Sequence, residues 1–162
     1  MFDQLPMRTL CLTLCRLSIA CWVGGATLFV ATSIVEQRFA GFTPTVRDQL
    51  AVLRFPWYYG FGFTLVTASL VFGVCARNHP GVGPRAMRFA LGLLAAALLV
   101  MLADYLWVYR PLHDLITPPG SPRSAEFARY HEWSKWINFG HGGLSLIAAA
   151  LVCRPAESNG NG

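Results

Sequence analysis

The chain has 162 residues, 54% of them hydrophobic and only 13% charged, whereas a soluble domain carries about a quarter charged residues. Its net charge of +5 comes from twelve Arg and one Lys against eight acidic residues. In so apolar a chain these cations read as loop anchors, so nucleic-acid binding is not expected.

A bilayer core of about 30 Å needs roughly 20 consecutive, mostly apolar residues in a helix. Four stretches meet this: Leu10 to Ile34, Phe55 to Cys75, Met87 to Val108, and Trp136 to Cys153. Lipid offers a bare backbone no hydrogen bonds, so each must be helical. The expectation is an all-α fold, an integral membrane bundle of four transmembrane helices in a single domain over residues 1–162. The first stretch is too long for a signal peptide and runs into Glu36-Gln37-Arg38 rather than a small-residue cleavage site, so it reads as a retained span. It carries Ala20, Gly24, Thr27 and Ala31 at helical spacing, a small-residue stripe for close packing against its own bundle or a neighbouring chain.

Pro56 is expected at the head of the second helix, where a missing N–H is harmless. Asn78 to Pro84 is too rich in Gly and Pro to be helical, and Thr117-Pro118-Pro119-Gly120 closes the third helix in the same way. Ser121 before Pro122 reads as an N-cap and first helical residue, so the last helix is expected to start near residue 122, outside the membrane. A break near Glu132 is the alternative. The segment at 158–162 reads as a flexible tail. Lys and Arg are nearly balanced between the two sides, with Asp3 and Glu157 on the side of the termini. The longer, more mixed first and third loops favour termini in the cytoplasm, in a bacterial inner membrane.

Placing polar residues by depth gathers them at one end. Glu36 closes the first span, Arg54 opens the second, Asp104 lies within the third, and His131, Ser134, Asn138, His141 and Ser145 form one face of the fourth at spacings of three and four. A polar stripe on a spanning helix faces the bundle interior, and an unpaired charge there costs at least about 2.5 to 3.5 kcal/mol. Asp104 therefore needs a partner, and Arg54 and His141 stand at suitable depth. Two uses are open. The cluster is a cavity for a solute, a proton or a metal ion, or it is polar glue that fixes helix register. Trp57, Trp107, Trp133 and Trp136 lie on the same side, as an interfacial aromatic belt would, and only Trp22 lies elsewhere.

Cys11, Cys15, Cys75 and Cys153 fall in the opposite leaflet. Four thiols at one level could bind zinc or copper(I), but the spacing matches no ligand signature, and cysteine is a common buried apolar residue. A haem held by two histidines is poorly served, because His131 and His141 share one helix about 15 Å apart. A haem with a single His ligand, or a metal held by His and carboxylate, stays open. With no nucleophile motif, phosphate loop or metalloprotease signature, an enzyme is not expected.

Phe127-Ala128-Arg129-Tyr130-His131-Glu132-Trp133-Ser134-Lys135-Trp136-Ile137-Asn138 resembles the F-x-x-x-H-x-x-S-x-x-x-N pattern of the small membrane proteins related to human transmembrane protein 205. Trp22-Val23-Gly24-Gly25 with Phe29, and Phe55-Pro56-Trp57-Tyr58, resemble that family's first- and second-helix segments. The resemblance implies a four-helix membrane domain and singles out His131, Ser134 and Asn138. It supplies no activity, and Asp104 and His141 stand outside its pattern. The leading expectation is a non-enzymatic accessory or scaffold subunit that contacts the lipid bilayer and other membrane subunits or further copies of itself. The alternatives are a protein that binds or transports a small solute, a proton or a metal ion, and a redox subunit carrying haem or metal.

Overall fold

The computed structural model describes residues 4–154; Asp3, Glu157 and the segment at 158–162 lie outside the described residues. The fold is all-α. Helix α1 spans Gln4–Arg38 and α2 spans Pro44–Cys75. Helix α3 spans Pro84–Asp104 and continues through a π-helical turn, Tyr105–Tyr109, into α4, Arg110–Leu115. Helix α5 spans Ala125–Cys153. Among the described residues, four helical rods are long and apolar enough to cross a membrane: α1, α2, the continuous α3–α4 rod, and α5.

The helices outrun the expected spans, and their ends have local causes. Helix α2 starts at Pro44 rather than near Pro56. Thr43 caps it, its hydroxyl accepting from the Val46 N–H at 3.4 Å, and Pro44 supplies the first helical φ. Pro56 thus lies inside the helix, where a transmembrane segment tolerates the lost hydrogen bond. The expected start of α5 at Ser121 and Pro122 is also displaced. The Ser121 hydroxyl donates back to the Pro118 carbonyl (2.6 Å) and caps nothing, whereas the Ser124 hydroxyl accepts from the Phe127 N–H (3.0 Å). From Ala125 the helix runs through Glu132 without a break. The π turn ends two residues before Pro111, which has no N–H to offer the Trp107 carbonyl four residues back. The Arg110 N–H bonds instead to the Tyr105 carbonyl, five residues back.

Helix α1 packs mainly on α2, and α3 on α5; weaker α1–α5 and α2–α3 contacts close the bundle. Its core runs through Cys15, Ile19, Trp22, Tyr59, Val66, Leu94, Met101 and Ala148, all essentially inaccessible. Large apolar side chains such as Leu28, Leu53, Phe89, Leu99 and Phe139 point outward instead. A soluble protein would not spread so much apolar surface over a helix bundle, and a lipid solvent accounts for it. The exposed indoles of Trp57, Trp107, Trp133 and Trp136 sit on the side of the first and third loops, where an interfacial belt belongs. At 1.5 Å per residue the rods are about 44 to 52 Å long, well beyond a hydrocarbon core of about 30 Å. In α2 and α5 the surplus lies on the belt side, where their first turns precede Trp57 and Trp133.

That projecting end is held by Asp48, a buried carboxylate the sequence reading did not single out. It accepts the Gly120 N–H (2.9 Å) with one oxygen and the Arg123 guanidinium with the other, and Arg123 lies 4.1 Å over the Phe127 ring. The clip ties the loop before α5 to α2. Asp48→Ala would leave a backbone N–H and a guanidinium without their acceptor, so it is expected to destabilise the chain by about 2 kcal/mol, read as a lowered melting temperature by circular dichroism in detergent. At the opposite end His79 Nδ1 accepts from the Gly81 N–H (2.9 Å), so Nε2 carries the proton and donates to the Thr9 hydroxyl (3.1 Å). Arg16 Nε donates to the Val152 carbonyl (3.0 Å), joining α1 to the end of α5.

Candidate functional site

Helical periodicity on α5 carries Ser134, Asn138, His141 and Ser145 inward along one line, and α3 brings Asp104 to meet them. Asp104 is completely buried. Its Oδ2 accepts twice, from the Tyr59 hydroxyl at 2.5 Å and from Asn138 Nδ2 at 3.2 Å. The partners expected from depth, Arg54 and His141, are not the ones it bonds. Tyr59 reaches it from α2, and Asn138 lies on the α5 face packed against α3.

Asn138 is the hub. Its two Nδ2 hydrogens are shared among Asp104 Oδ2, the Ser134 carbonyl (2.8 Å) and the Ser134 hydroxyl (3.2 Å). Its Oδ1 accepts from the Tyr58 hydroxyl (3.0 Å) and lies 3.2 Å from His141 Nε2. The Ser145 hydroxyl donates to the His141 carbonyl (2.8 Å) and accepts from Trp22 Nε1 (3.2 Å). Trp22 also stacks on His141, with ring centroids 6.0 Å apart. Each of the four membrane-crossing rods therefore sends at least one polar group into a single buried junction. Two atoms in it are left over: Asp104 Oδ1 and His141 Nδ1 make no hydrogen bond among the described residues.

Glu36 and Arg54 form a second group. Arg54 pairs with Glu36, donates to the Thr32 hydroxyl (2.8 Å) and lies 4.8 Å over the Phe29 ring. Phe29 in turn stacks on Tyr58 at 4.4 Å, so an aromatic layer separates this ion pair from the junction. His131 joins neither group. It is exposed and stacks on Phe127, with ring centroids 5.6 Å apart. The hydroxyls of Tyr58 and Tyr59 are junction donors that the sequence alone does not single out. Trp22 drew notice only as the tryptophan away from the belt. The available signal was that all three fall well inside long helices, where an O–H or indole N–H needs an acceptor.

The arrangement can fix helix register, and the buried Asp104 Oδ1 can take a proton. Among the described residues no three His, Cys, Asp or Glu side chains come together as a metal site. Cys11 is half-buried, Cys15 buried, and Cys75 and Cys153 exposed, all as free thiols. No known protein family, curated protein or solved structure matches the chain.

Proposed function

We propose that this chain is a non-enzymatic accessory or scaffold subunit of a larger membrane assembly and that it meets its neighbour through the outward face of α1. The observation that carries this reading is the placement of Ala20, Gly24, Thr27 and Ala31. All four are exposed, and a Cβ built on Gly24 meets nothing within 4 Å. Small residues on a spanning helix let another backbone approach closely, and here the chain's own helices do not use them. The likeness of the last helix to proteins related to human transmembrane protein 205, and a bacterial inner membrane with cytoplasmic termini, belong to the same proposal.

Native purification tests it. A scaffold co-purifies with a partner chain in fixed ratio, and Gly24→Leu, which fills the stripe, releases that partner. The isolated chain is expected to keep its stability or to gain up to about 1 kcal/mol from replacing a helical glycine. Loss of the partner without loss of melting temperature supports the proposal. A chain that purifies alone in mild detergent sinks it. A second reading, binding or transport of a proton or small solute, is favoured by the unpartnered Asp104 Oδ1. Under that reading Asp104→Asn abolishes uptake in vesicles while the fold persists.

A further inference from the structure

A groove of about 570 Å³ runs between α1 and α2, on a different face of α1 from the small-residue stripe. Gly25, Phe29, Leu53, Trp57 and Phe61 line it, and Arg54 stands in it with Glu36 beside it. We propose that this groove holds one aminophospholipid, with its headgroup on the Arg54–Glu36 pair and an acyl chain along Leu53, Trp57 and Phe61.

Depth is the first argument. Arg54 lies less than one helical turn on the loop side of Trp57, whose indole is exposed at the level of the aromatic belt. That is where a phospholipid carries its phosphate, and a long cationic side chain reaches such a level with its stem in the apolar phase. The groove's other walls are apolar or aromatic, and the Tyr58 hydroxyl among them is bonded to Asn138. Gly25 lets the two helices close together at its floor, since a Cβ there would stand 2.7 Å from the Phe61 ring.

Charge is the second argument, and it selects the headgroup. Arg54 and Glu36 are both partly open, at 25% and 29% side-chain exposure. Arg54 spends only part of its five-donor fork on Glu36 and Thr32, and the Glu36 carboxylate keeps free lone pairs. Two opposite charges side by side form a dipole, and a zwitterionic headgroup lies antiparallel to it, phosphate on Arg54 and ammonium on Glu36. Ethanolamine has N–H donors for that carboxylate, whereas choline presents methyl groups. An anionic glycerol headgroup brings no cation to Glu36 and is repelled by it.

The test uses the full chain, purified and stripped of lipid in mild detergent, then offered phosphatidylethanolamine, phosphatidylcholine and phosphatidylglycerol at equal concentration. Native mass spectrometry reads what is retained. The expected result is one bound phosphatidylethanolamine, favoured about tenfold over the others. Arg54→Gln should abolish retention of all three, and Glu36→Gln should erase the preference for ethanolamine over glycerol. Because both substitutions break an ion pair that also joins α1 to α2, Leu53→Trp provides the control. It fills the groove from an exposed position, leaves the pair intact, and should abolish retention at an unchanged melting temperature. Preferential retention of phosphatidylglycerol, no retained lipid, equal retention of the three headgroups, or retention that survives Leu53→Trp would each overturn the proposal.

Discussion

Asn138→Leu is expected to destabilise the chain by about 3 to 4 kcal/mol, with little change in side-chain volume. Leucine keeps the apolar bulk and deletes every bond the amide makes. The Tyr58 hydroxyl loses its acceptor, His141 Nε2 loses its neighbour at 3.2 Å, and Asp104 keeps Tyr59 alone. An interhelical hydrogen bond in a membrane contributes about 0.6 kcal/mol on average and up to about 1.7. A buried polar group left without a partner adds about 1 to 3 kcal/mol. Two helix-to-helix bonds at about 0.6 kcal/mol and two stranded groups at the low end, about 1 kcal/mol each, give the figure above. Tyr58→Phe is the internal comparison. It removes one donor and leaves the Asn138 oxygen its neighbour in His141, so about 1 kcal/mol is expected. Reversible unfolding in mixed micelles measures both. Equal losses in the two variants would mean that Asn138 is one contact among several rather than the hub.

The four-rod fold was legible because the bilayer imposes it. Apolar runs of the right length leave the backbone no choice but helix, and the Gly- and Pro-rich stretches at 78–84 and 117–120 left no choice but turns. Helix ends were read less well. Ser121-Pro122 and Pro56 are sound start signals in isolation, but Ser124 and Thr43 were capping residues of equal merit, and only tertiary placement chose between them. The inward line from Ser134 to Ser145 followed from spacing alone. The partner of Asp104 did not. Depth along the chain places its partners in one leaflet but does not fix which way the side chains of α2 point. Arg54 turns towards α1 and Glu36, while Tyr59, five residues later, turns towards α3. Asp48 escaped notice because its partners Gly120 and Arg123 are about seventy residues away and lie in a loop. A contact of that kind leaves no periodic trace in a sequence.

The junction also rests on an absence of side chain. A Cβ at Gly62 would stand 2.5 Å from the Met101 methyl and 2.7 Å from two atoms of the Trp22 ring. Neither neighbour yields easily. Both are fully buried, and Trp22 is pinned by its bond to Ser145, its stacking on His141 and its contact with Tyr58 at 5.2 Å. Alanine in a helix interior is ordinarily better than glycine by about 1 kcal/mol. Overpacking a filled core costs about 1 to 3 kcal/mol. At Gly62 the second effect should win, so Gly62→Ala is expected to lower stability by about 1 to 2 kcal/mol. Gly62→Val, which adds two more methyls to the same space, should lose more than about 3 kcal/mol by the same reasoning. Gly60, two residues earlier on the same helix, has nothing within 4 Å of its Cβ position. Gly60→Ala should therefore raise the melting temperature where Gly62→Ala lowers it. Opposite signs from the same substitution two residues apart isolate the packing term, because backbone entropy is common to both. If both alanines stabilise, Trp22 has room to move, and its hold on Ser145 is too loose to orient His141 beside Asn138.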